Sequence, residues 1–271
     1  MSSNIVAIVI ARDEEKNIAK TLNSIKEQTS KPYIIVVDDG SIDNTPNIAE
    51  KIAELVIRLP RHEESWAGKP QLARVFNAGF KEAKKLNPDF LLISGADSLY
   101  PRDYVEIIVS RMKRENVVIA SGIAKGERAR GPRGSGRIID ANWFNKIGFK
   151  YPENWGFESY VIFKALSMGF KVKVYTDVYF ELSRRTTLSP MKAYYWGLGM
   201  RALNYWFPYA LGRILLISLK SPKSAFYMFK GYMSHDVKLY DDIRYFVPNF
   251  QKRYILYKLG LKRFSAILNV S

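Results

Sequence analysis

The first half of the chain alternates short, continuously apolar segments with longer segments of helical periodicity. The apolar segments are rich in Val and Ile and predict strands at residues 5–10, 33–37, 55–57, 90–93 and 117–120. The segments between them repeat apolar residues at helical spacing and predict helices at residues 15–28, 45–53, 70–86 and 104–115. Strands that are buried on both faces and joined by helices pair in parallel. The sequence therefore predicts an α/β fold, a Rossmann-like, mostly parallel sheet with helices on both faces.

Polar residues follow three of the predicted strands. The first strand is followed by residues 11–14, the second by Asp38 and Asp39, and the fourth by Asp97. Ligands of open parallel sheets bind beyond the carboxyl ends of the strands, so these residues mark a candidate site. Their carboxylates suit either a nucleobase and ribose or Mg²⁺ or Mn²⁺, which prefer oxygen ligands. No Gly-x-Gly-x-x-Gly pattern follows the first strand, which argues against a dinucleotide site.

The second half of the chain has a different composition. Residues 124–140 are Gly-rich and basic and predict a mobile loop, followed by a helix at 158–168 and a strand at 171–175. Residues 184–271 contain fifteen Lys or Arg and three acidic residues, together with 18 of the 37 aromatic residues. We therefore predict a boundary near residue 188 and a helical, basic and aromatic region over 189–271.

Basic and aromatic side chains together predict a surface for anionic lipid or for nucleic acid. The apolar stretch 194–219 is interrupted by Arg201, Pro208 and Arg213, which predicts an interfacial helix rather than a membrane span. A solvated basic face, a helical lid and a dimer interface are the alternatives. Before Arg12 the N-terminus has one short apolar run, residues 5–11, which is too short for a signal peptide. The chain of 271 residues lacks Cys, which excludes disulfides and Cys-based sites.

The order of these motifs resembles the inverting family 2 glycosyltransferases, which have the GT-A fold, and in particular their membrane-associated archaeal and bacterial members. The resemblance covers residues 5–186, and its most specific string is IIVVDDGSIDNTPNIAEK. The segment WAGKPQLARVFNAGFKEAK is similar to the family's next motif, and LLISGADSLYPRDYV falls where the family has Asp-X-Asp. By this resemblance, residues 1–188 form a GT-A nucleotide-sugar transferase domain.

The resemblance implies a role for each residue at a matching position. Asp38 or Asp39 would bind the base and ribose, and Asp97 would bind Mg²⁺ or Mn²⁺. Glu158 would be the catalytic base that deprotonates an acceptor hydroxyl. Arg184 or Arg185, which stand outside any matching motif, would offer a guanidinium to a phosphate of the donor or the acceptor. The residues that would border the nucleotide or its diphosphate are Ala11, Arg12, Glu14, Lys69 and Ala96.

The sequence departs from the family pattern in three places. Gly95 stands at the first Asp of Asp-X-Asp, and Phe157-Glu158 stands in place of Glu-Asp. The Gln-X-X-Arg-Trp pattern of processive synthases is missing, and SRRTTLS occupies that region. A metal held by one carboxylate would depend on the diphosphate oxygens and on water for its other ligands.

The candidate site residues also have purely structural interpretations. Asp38 and Asp39 suit a capped turn, and Asp97 suits a helix cap or turn. Glu158 is an acid favoured in the first turn of a helix, and Lys69 suits a solvated surface. His62 and His235 lack ligand spacing and receive no role, and Trp66, Trp143 and Trp155 are expected to pack.

We therefore predict a metal-dependent, inverting hexosyltransferase that uses a UDP- or GDP-sugar and a lipid-linked or glycan acceptor. Its predicted location is peripheral, on the cytoplasmic face of the membrane. One alternative is a polyprenyl- or dolichyl-phosphate sugar synthase, whose acceptor phosphate needs no base. Another is a non-catalytic sugar-nucleotide-binding protein, suggested by Gly95. A nucleic-acid partner is disfavoured, because carboxylates at the strand ends would repel phosphates.

Overall fold

A computed structural model of the chain describes residues 3–127, 131–184 and 187–260, and the backbone of 268–269. The strands are β1 (Ile5–Ala11), β2 (Tyr33–Asp38), β3 (Leu55–Arg58), β4 (Phe90–Gly95), β5 (Ser98–Leu99), β6 (Val117–Ala124), β7 (Arg137–Asp140), β8 (Lys171–Leu182) and β9 (Leu268–Asn269). The helices are α1 (Ile18–Lys26), α2 (Thr45–Ala49), α3 (Leu72–Lys85), α4 (Tyr104–Glu115), α5 (Ala141–Lys146), α6 (Phe157–Ser167), α7 (Pro190–Ala202), α8 (Phe207–Ser218), α9 (Pro222–Tyr232) and α10 (Phe246–Lys258). A 3-10 turn spans Asp241–Ile243.

The strands form one mixed sheet in the order β3-β2-β1-β4-β7-β6-β8-β5, with β9 beside β8. The pairs β1–β2, β1–β4, β2–β3 and β6–β8 are parallel, as the sequence predicts. β7 is antiparallel to both β4 and β6 and fills the gap between them.

The prediction of a mobile loop over residues 124–140 is wrong at its C-terminal end, because Arg137–Asp140 is the central strand β7. Arg137 is only 2% exposed. Its guanidinium donates to the carbonyl oxygen of Pro132 at 3.0 Å, which allows a charged residue to lie inside the sheet. The basic composition of the segment therefore reflects a buried, hydrogen-bonded arginine as well as surface charge.

Hydrophobic cores lie on both faces of the sheet. Successive residues of β1 face opposite sides, so that Ala7 and Val9 pack with α1 and α4, whereas Val6 and Ile8 pack with α3, α5 and α6. The close approach of α3 to the sheet uses Gly79, where an added Cβ would lie 2.8 Å from Ile8 Cγ2. The two cores fix the sheet and leave the carboxyl ends of β1, β2 and β4 at one edge.

Helices α7, α8 and α9 form a layer with a small core of its own. α7 and α9 are in backbone contact at Gly197 and Gly231, where any side chain would collide with the facing helix. A second small cluster, which includes Leu203 and Tyr240, joins this layer to α6 through Tyr160 and Phe163. Among the described residues, no helix is both long enough and apolar enough to cross a bilayer.

Candidate active site

The carboxyl ends of β1, β2 and β4 meet at one point because of the sheet register. Ala11 is paired with Asp38 across β1 and β2, and Ile10 is paired with Gly95 across β1 and β4. The turns that follow these strands are therefore neighbours in space, although they come from distant parts of the sequence. Ala11 and Ala96 are buried, and the Ala96 carbonyl accepts a hydrogen bond from Thr21 Oγ1 at 2.8 Å.

One end of the site is a polar cluster around Asp39. Asp39 is 5% exposed, and its Oδ1 lies 2.9 Å from His62 Nε2. Arg12 donates to the Asp39 carbonyl at 3.2 Å and to the His62 carbonyl at 2.6 Å. The His62 ring stacks on Trp66 with 3.6 Å between centroids. This stack presents a fixed aromatic edge beside a carboxylate, a combination that suits a planar, hydrogen-bonding ligand.

His62 and Trp66 join the site although sequence reasoning assigns no role to the first and expects only packing of the second. Neither residue has a partner at a recognisable spacing, since His62 reaches Asp39 over 23 residues of sequence. The one available signal is their separation of four residues, which places them near each other but not near the strand ends.

Asp38 lies beside this cluster and is 2% exposed. Its Oδ2 accepts a hydrogen bond from the Ser41 amide at 3.2 Å, as expected for an acid that caps a turn. Its Oδ1 is buried and has no hydrogen-bond partner among the described residues. A buried carboxylate oxygen without a donor is costly, so a ligand hydroxyl or N–H at this position would satisfy it.

Arg184 bridges the ends of β1 and β4. Its Nε donates to Asp97 Oδ2 at 3.0 Å, and its Nη2 donates to Glu14 Oε1. Glu14 is 7% exposed, whereas the Arg184 side chain is 65% exposed and reaches in from the segment after β8. The exposed guanidinium of Arg184 therefore pairs with two acids at the place where the sequence predicts a diphosphate. Arg185, the other arginine of that prediction, lies outside the described residues.

Gly95 faces hydroxyl groups instead of a second acid. The Gly95 amide donates to Ser135 Oγ at 3.0 Å, and Ser135 Oγ lies 2.6 Å from Ser98 Oγ. A Cβ at Gly95 would lie 3.1 Å from Asp97 Oδ1. Asp97 is therefore the single carboxylate of its motif.

The side chains at this site would bind a divalent cation only if a bound diphosphate and water supplied its other ligands. In residues 3–127, 131–184 and 187–260, no three His, Cys, Asp or Glu side chains gather as a metal site. Asp97 offers one carboxylate, and Mg²⁺ or Mn²⁺ readily takes its other ligands from phosphate oxygens and water. A cation at Asp97 would therefore need the diphosphate to complete its coordination, and Arg184 would have to release Asp97.

Glu158 lies in the first turn of α6, with its carboxylate against the loop residue Gly134. The residue before α6, Gly156, has φ of 71°, and this left-handed turn starts the helix next to the loop that contains Gly134. A Cβ at Gly134 would lie 3.2 Å from the Glu158 carboxylate carbon. Burial lowers the pKa of Arg133, and the negative charges of Glu158 and Asp97 oppose that shift. Arg133 is thus close enough to both acids to feel their charges.

Lys69 does not join the strand-end acids. Its ammonium pairs with Glu64, and this hydrogen bond is the largest cause of the raised pKa of Lys69. The neighbouring Gly68 has φ of +80°, and a Cβ there would lie 3.4 Å from the Tyr195 ring. Lys69 therefore lies toward α7 rather than beside Asp97 or Asp38.

A cavity of about 250 Å³ opens between the start of α6 and helices α7 and α8. Its walls are mainly glycine, aromatic and aliphatic residues. Among the described residues that line it, Glu158 is the one acid and Arg213 is the one base. Glu158 is thus shared between the strand-end site and this cavity.

Two solved structures share this architecture. A mannosyltransferase from Pyrobaculum calidifontis, in complex with GDP-Man and Mn²⁺, aligns with a TM-score of 0.60 and 15% identity. The alignment covers 97% of this chain and 77% of that one. S. aureus TarS 1-349, in complex with UDP-GlcNAc, aligns with a TM-score of 0.55 and 20% identity, over 72% of this chain and 65% of that one. The fold is therefore GT-A, as predicted.

The family model described as Glycosyl transferase family 2 matches residues 6–178, which is more than half of the chain. The chain belongs to glycosyl transferase family 2, and the resemblance seen in the sequence is confirmed. It is 32% identical over 118 residues to an uncharacterized protein of Methanocaldococcus jannaschii, a match that covers 44% of this chain and 45% of the relative. The chain spans about half the length of the first curated relatives it matches.

Proposed function

We propose that this protein transfers a sugar from a nucleotide-sugar donor to an acceptor hydroxyl, with inversion at the anomeric carbon. The observation that carries the proposal is the placement of Glu158 between two spaces. One is the strand-end site, whose Asp38 oxygen lacks a donor among the described residues, and the other is the cavity of about 250 Å³. A base at such a boundary is able to reach an acceptor in the cavity and a sugar at the strand ends.

On the donor side, Asp39 and the His62–Trp66 stack would receive the nucleobase, and Asp38 would accept a hydrogen bond from the ribose. The related folds support a UDP- or GDP-sugar, because one binds GDP-Man and another binds UDP-GlcNAc. Arg184 would move from Asp97 to the diphosphate, where a guanidinium pairs well with phosphate oxygens.

The chemical step would be a single displacement. Glu158 takes the proton of the acceptor hydroxyl, the acceptor oxygen forms a bond to the anomeric carbon, and the bond from that carbon to the nucleotide diphosphate breaks on the opposite face. The diphosphate leaves with the electron pair, and Arg184, once released from Asp97, would stabilise its charge. Asp97 would hold a Mg²⁺ or Mn²⁺ ion, which would supply further neutralisation of the leaving group.

We further propose that the acceptor is lipid-linked and that the protein acts at the cytoplasmic face of a membrane. The support is the surface of α8 and α9, where Leu216, Leu219 and Phe226 are exposed among lysines. Apolar and basic side chains on one surface suit an anionic bilayer. The division into a transferase domain over 1–188 and a lipid-facing region over 189–271 stays a prediction.

Calorimetry with UDP, GDP and their sugar conjugates tests the donor side, first with Mn²⁺ and then with EDTA. We expect one nucleotide to bind, and to bind more tightly with the metal ion. Binding that is equal with EDTA would remove Asp97 as a metal ligand, and no binding of any nucleotide would overturn the proposed function.

Glu158→Gln tests the chemical step. We expect unchanged nucleotide binding and a loss of turnover of about 10²- to 10⁴-fold, which is the usual contribution of a general base. Glu153→Gln is the matched control, because Glu153 makes a surface ion pair with Arg74 at 2.6 Å. If Glu158→Gln keeps full turnover, the acceptor is already an anion, and the polyprenyl-phosphate alternative replaces the hydroxyl acceptor. If the native protein binds a donor but neither transfers nor hydrolyses it, the protein is a non-catalytic binder.

A further inference from the structure

Arg213 of α8 is a half-buried cation without an acidic partner. No Asp or Glu occurs between Leu182 and His235, so helices α7, α8 and α9 contain no acid. Within the described residues, the guanidinium of Arg213 makes no ion pair, and the nearby group that senses its charge is the buried phenol of Tyr205. A partly desolvated guanidinium without a counter-ion is unfavourable. An anion from outside the chain would relieve that cost.

A second arginine in the same layer, Arg201, also lacks an acidic partner among the described residues. The Nε of Arg201 in α7 is buried and has no hydrogen-bond partner among the described residues. Its charge acts on Tyr232 of α9, and the Tyr232 hydroxyl donates to the Tyr205 carbonyl at 2.7 Å. The tyrosines that sense the two arginines are thus hydrogen-bonded to each other, so Arg201 and Arg213 lie in the same part of the layer. Because α7, α8 and α9 contain no acid, these two cations make the layer electropositive.

The cavity connects Arg213 to Glu158. Its volume of about 250 Å³ is room for one sugar or polyol ring. Trp196, Tyr195 and Tyr205 supply aromatic walls, which suit the C–H faces of such a ring. A ring in the cavity would have hydroxyls at Glu158 and an anionic substituent at Arg213.

The continuation of α8 beyond Arg213 explains where a lipid tail would lie. Leu215, Leu216 and Leu219 are 56%, 68% and 82% exposed, and Phe226 of α9 is 65% exposed. These side chains follow Arg213 on the same helix hairpin and form an apolar surface that the described part of the chain leaves largely uncovered. Apolar area of this kind next to unpaired cations suits the boundary between lipid headgroups and acyl chains.

We propose that the cavity is the acceptor site and that it takes a lipid whose phosphate carries a sugar or polyol ring. The phosphate pairs with Arg213, the ring hydroxyl faces Glu158, and the lipid tail lies on the exposed residues of α8 and α9. This assignment rests on the proposed function, because it names the acceptor class of the same reaction. It adds an anion subsite that distinguishes a phosphate-linked acceptor from a neutral glycolipid.

Vesicle co-sedimentation tests the assignment without donor or turnover. The probes are phosphatidylcholine vesicles that contain phosphatidylinositol, which has both phosphate and ring, or a neutral galactolipid, which has the ring alone. We expect binding to the phosphatidylinositol vesicles and a loss of about tenfold or more in Arg213→Gln. Arg213→Lys, which keeps the charge, should lose less. The matched control is Arg253→Gln on α10, which removes one exposed charge outside the cavity and should change binding less than about twofold.

Soluble competitors separate a lipid headgroup from a free anion. Inositol 1-phosphate should displace the native protein from the vesicles more effectively than inorganic phosphate does. Equal losses in Arg213→Gln and Arg253→Gln would show general electrostatic attraction and overturn the proposal. Equal binding to the neutral galactolipid, or equal competition by inorganic phosphate, would also overturn it. Nucleotide calorimetry on the same variants separates these failures from a failure of the proposed function, because Arg213 lies outside the donor site.

Discussion

Gly134→Ala is the sharpest test of Glu158 as the catalytic base. An Ala Cβ at position 134 would overlap Glu158 Oε1 by about 1 Å relative to an ordinary contact, and it would lie 3.2 Å from the carboxylate carbon. Restoring an ordinary contact of ~3.5 Å requires the carboxylate to move by about 1 Å. Misplacement of a catalytic group by about 1 Å costs on the order of 10²-fold in rate. We therefore expect turnover to fall about 100-fold.

The stability of the same variant should change little. The atoms in conflict are at the far end of a flexible side chain, and an off-rotamer Glu158 costs about 0.5–1.5 kcal/mol. For a chain of this size, that cost lowers Tm by only a few degrees. The assay is release of nucleotide from the sugar donor that calorimetry identifies, with thermal unfolding measured in parallel. Gly212→Ala is the control, because its Cβ would meet nothing within 4 Å.

A double-mutant cycle tests whether the loss of turnover in Gly134→Ala acts through the Glu158 carboxylate. Glu158→Asp shortens the side chain by one methylene and moves the carboxylate away from position 134. Adding Gly134→Ala to Glu158→Asp should therefore cost much less than adding it to the native protein. Equal costs in both backgrounds, or turnover of Gly134→Ala within about threefold of native, would show that Glu158 does not act from the position seen here.

Three further variants test other parts of the structure. Gly197→Ala should lower Tm by several degrees in calorimetry, because its Cβ would lie 2.7 Å from a backbone nitrogen of α9; an unchanged Tm would contradict this helix contact. His62→Ala should weaken nucleotide binding about tenfold by calorimetry, because Asp39 loses the ring that orients it; a change below twofold would exclude that role. Burial is the largest single influence on the pKa of Asp242 and raises it, but the hydrogen bonds from Lys164 and Tyr160, together with the charge of Lys164, outweigh burial and lower that pKa. Asp242→Asn should therefore destabilise at neutral pH, by up to ~1 kcal/mol for this partly exposed pair. The difference should shrink as the pH falls through the lowered pKa, below ~3.9, and a difference constant with pH would refute it.

The parallel strands and their polar ends were predictable because both depend on local sequence. Continuous apolar runs mark buried strands, and the acids at Asp38, Asp39 and Asp97 follow directly at the ends of such runs. Parallel topology then brings these ends to one edge without any knowledge of side-chain contacts.

The rest of the site depends on contacts between distant segments. Arg184 reaches Glu14 across 170 residues of sequence, and Ser135 Oγ accepts a hydrogen bond from the Gly95 amide across 40 residues. No periodicity marks such pairs, because each is created by the packing of a loop. The burial of Arg137 escaped prediction for a related reason, since its charge suggested exposure, whereas the carbonyls around it allow burial.

The charges of the molecule divide the site into two halves that need different partners. The strand-end half holds Asp38, Asp39 and Asp97, so its ligand must bring hydrogen-bond donors or a cation with its phosphates. The half formed by α7, α8 and α9 contains no acid and holds half-buried arginines, so its ligand must bring an anion. Glu158 lies at the boundary, and its carboxylate is close enough to Arg133 for the two charges to interact. A neutral acceptor would leave Arg213 without a counter-ion in the assembled complex, whereas a phosphate-linked acceptor would satisfy both halves at once.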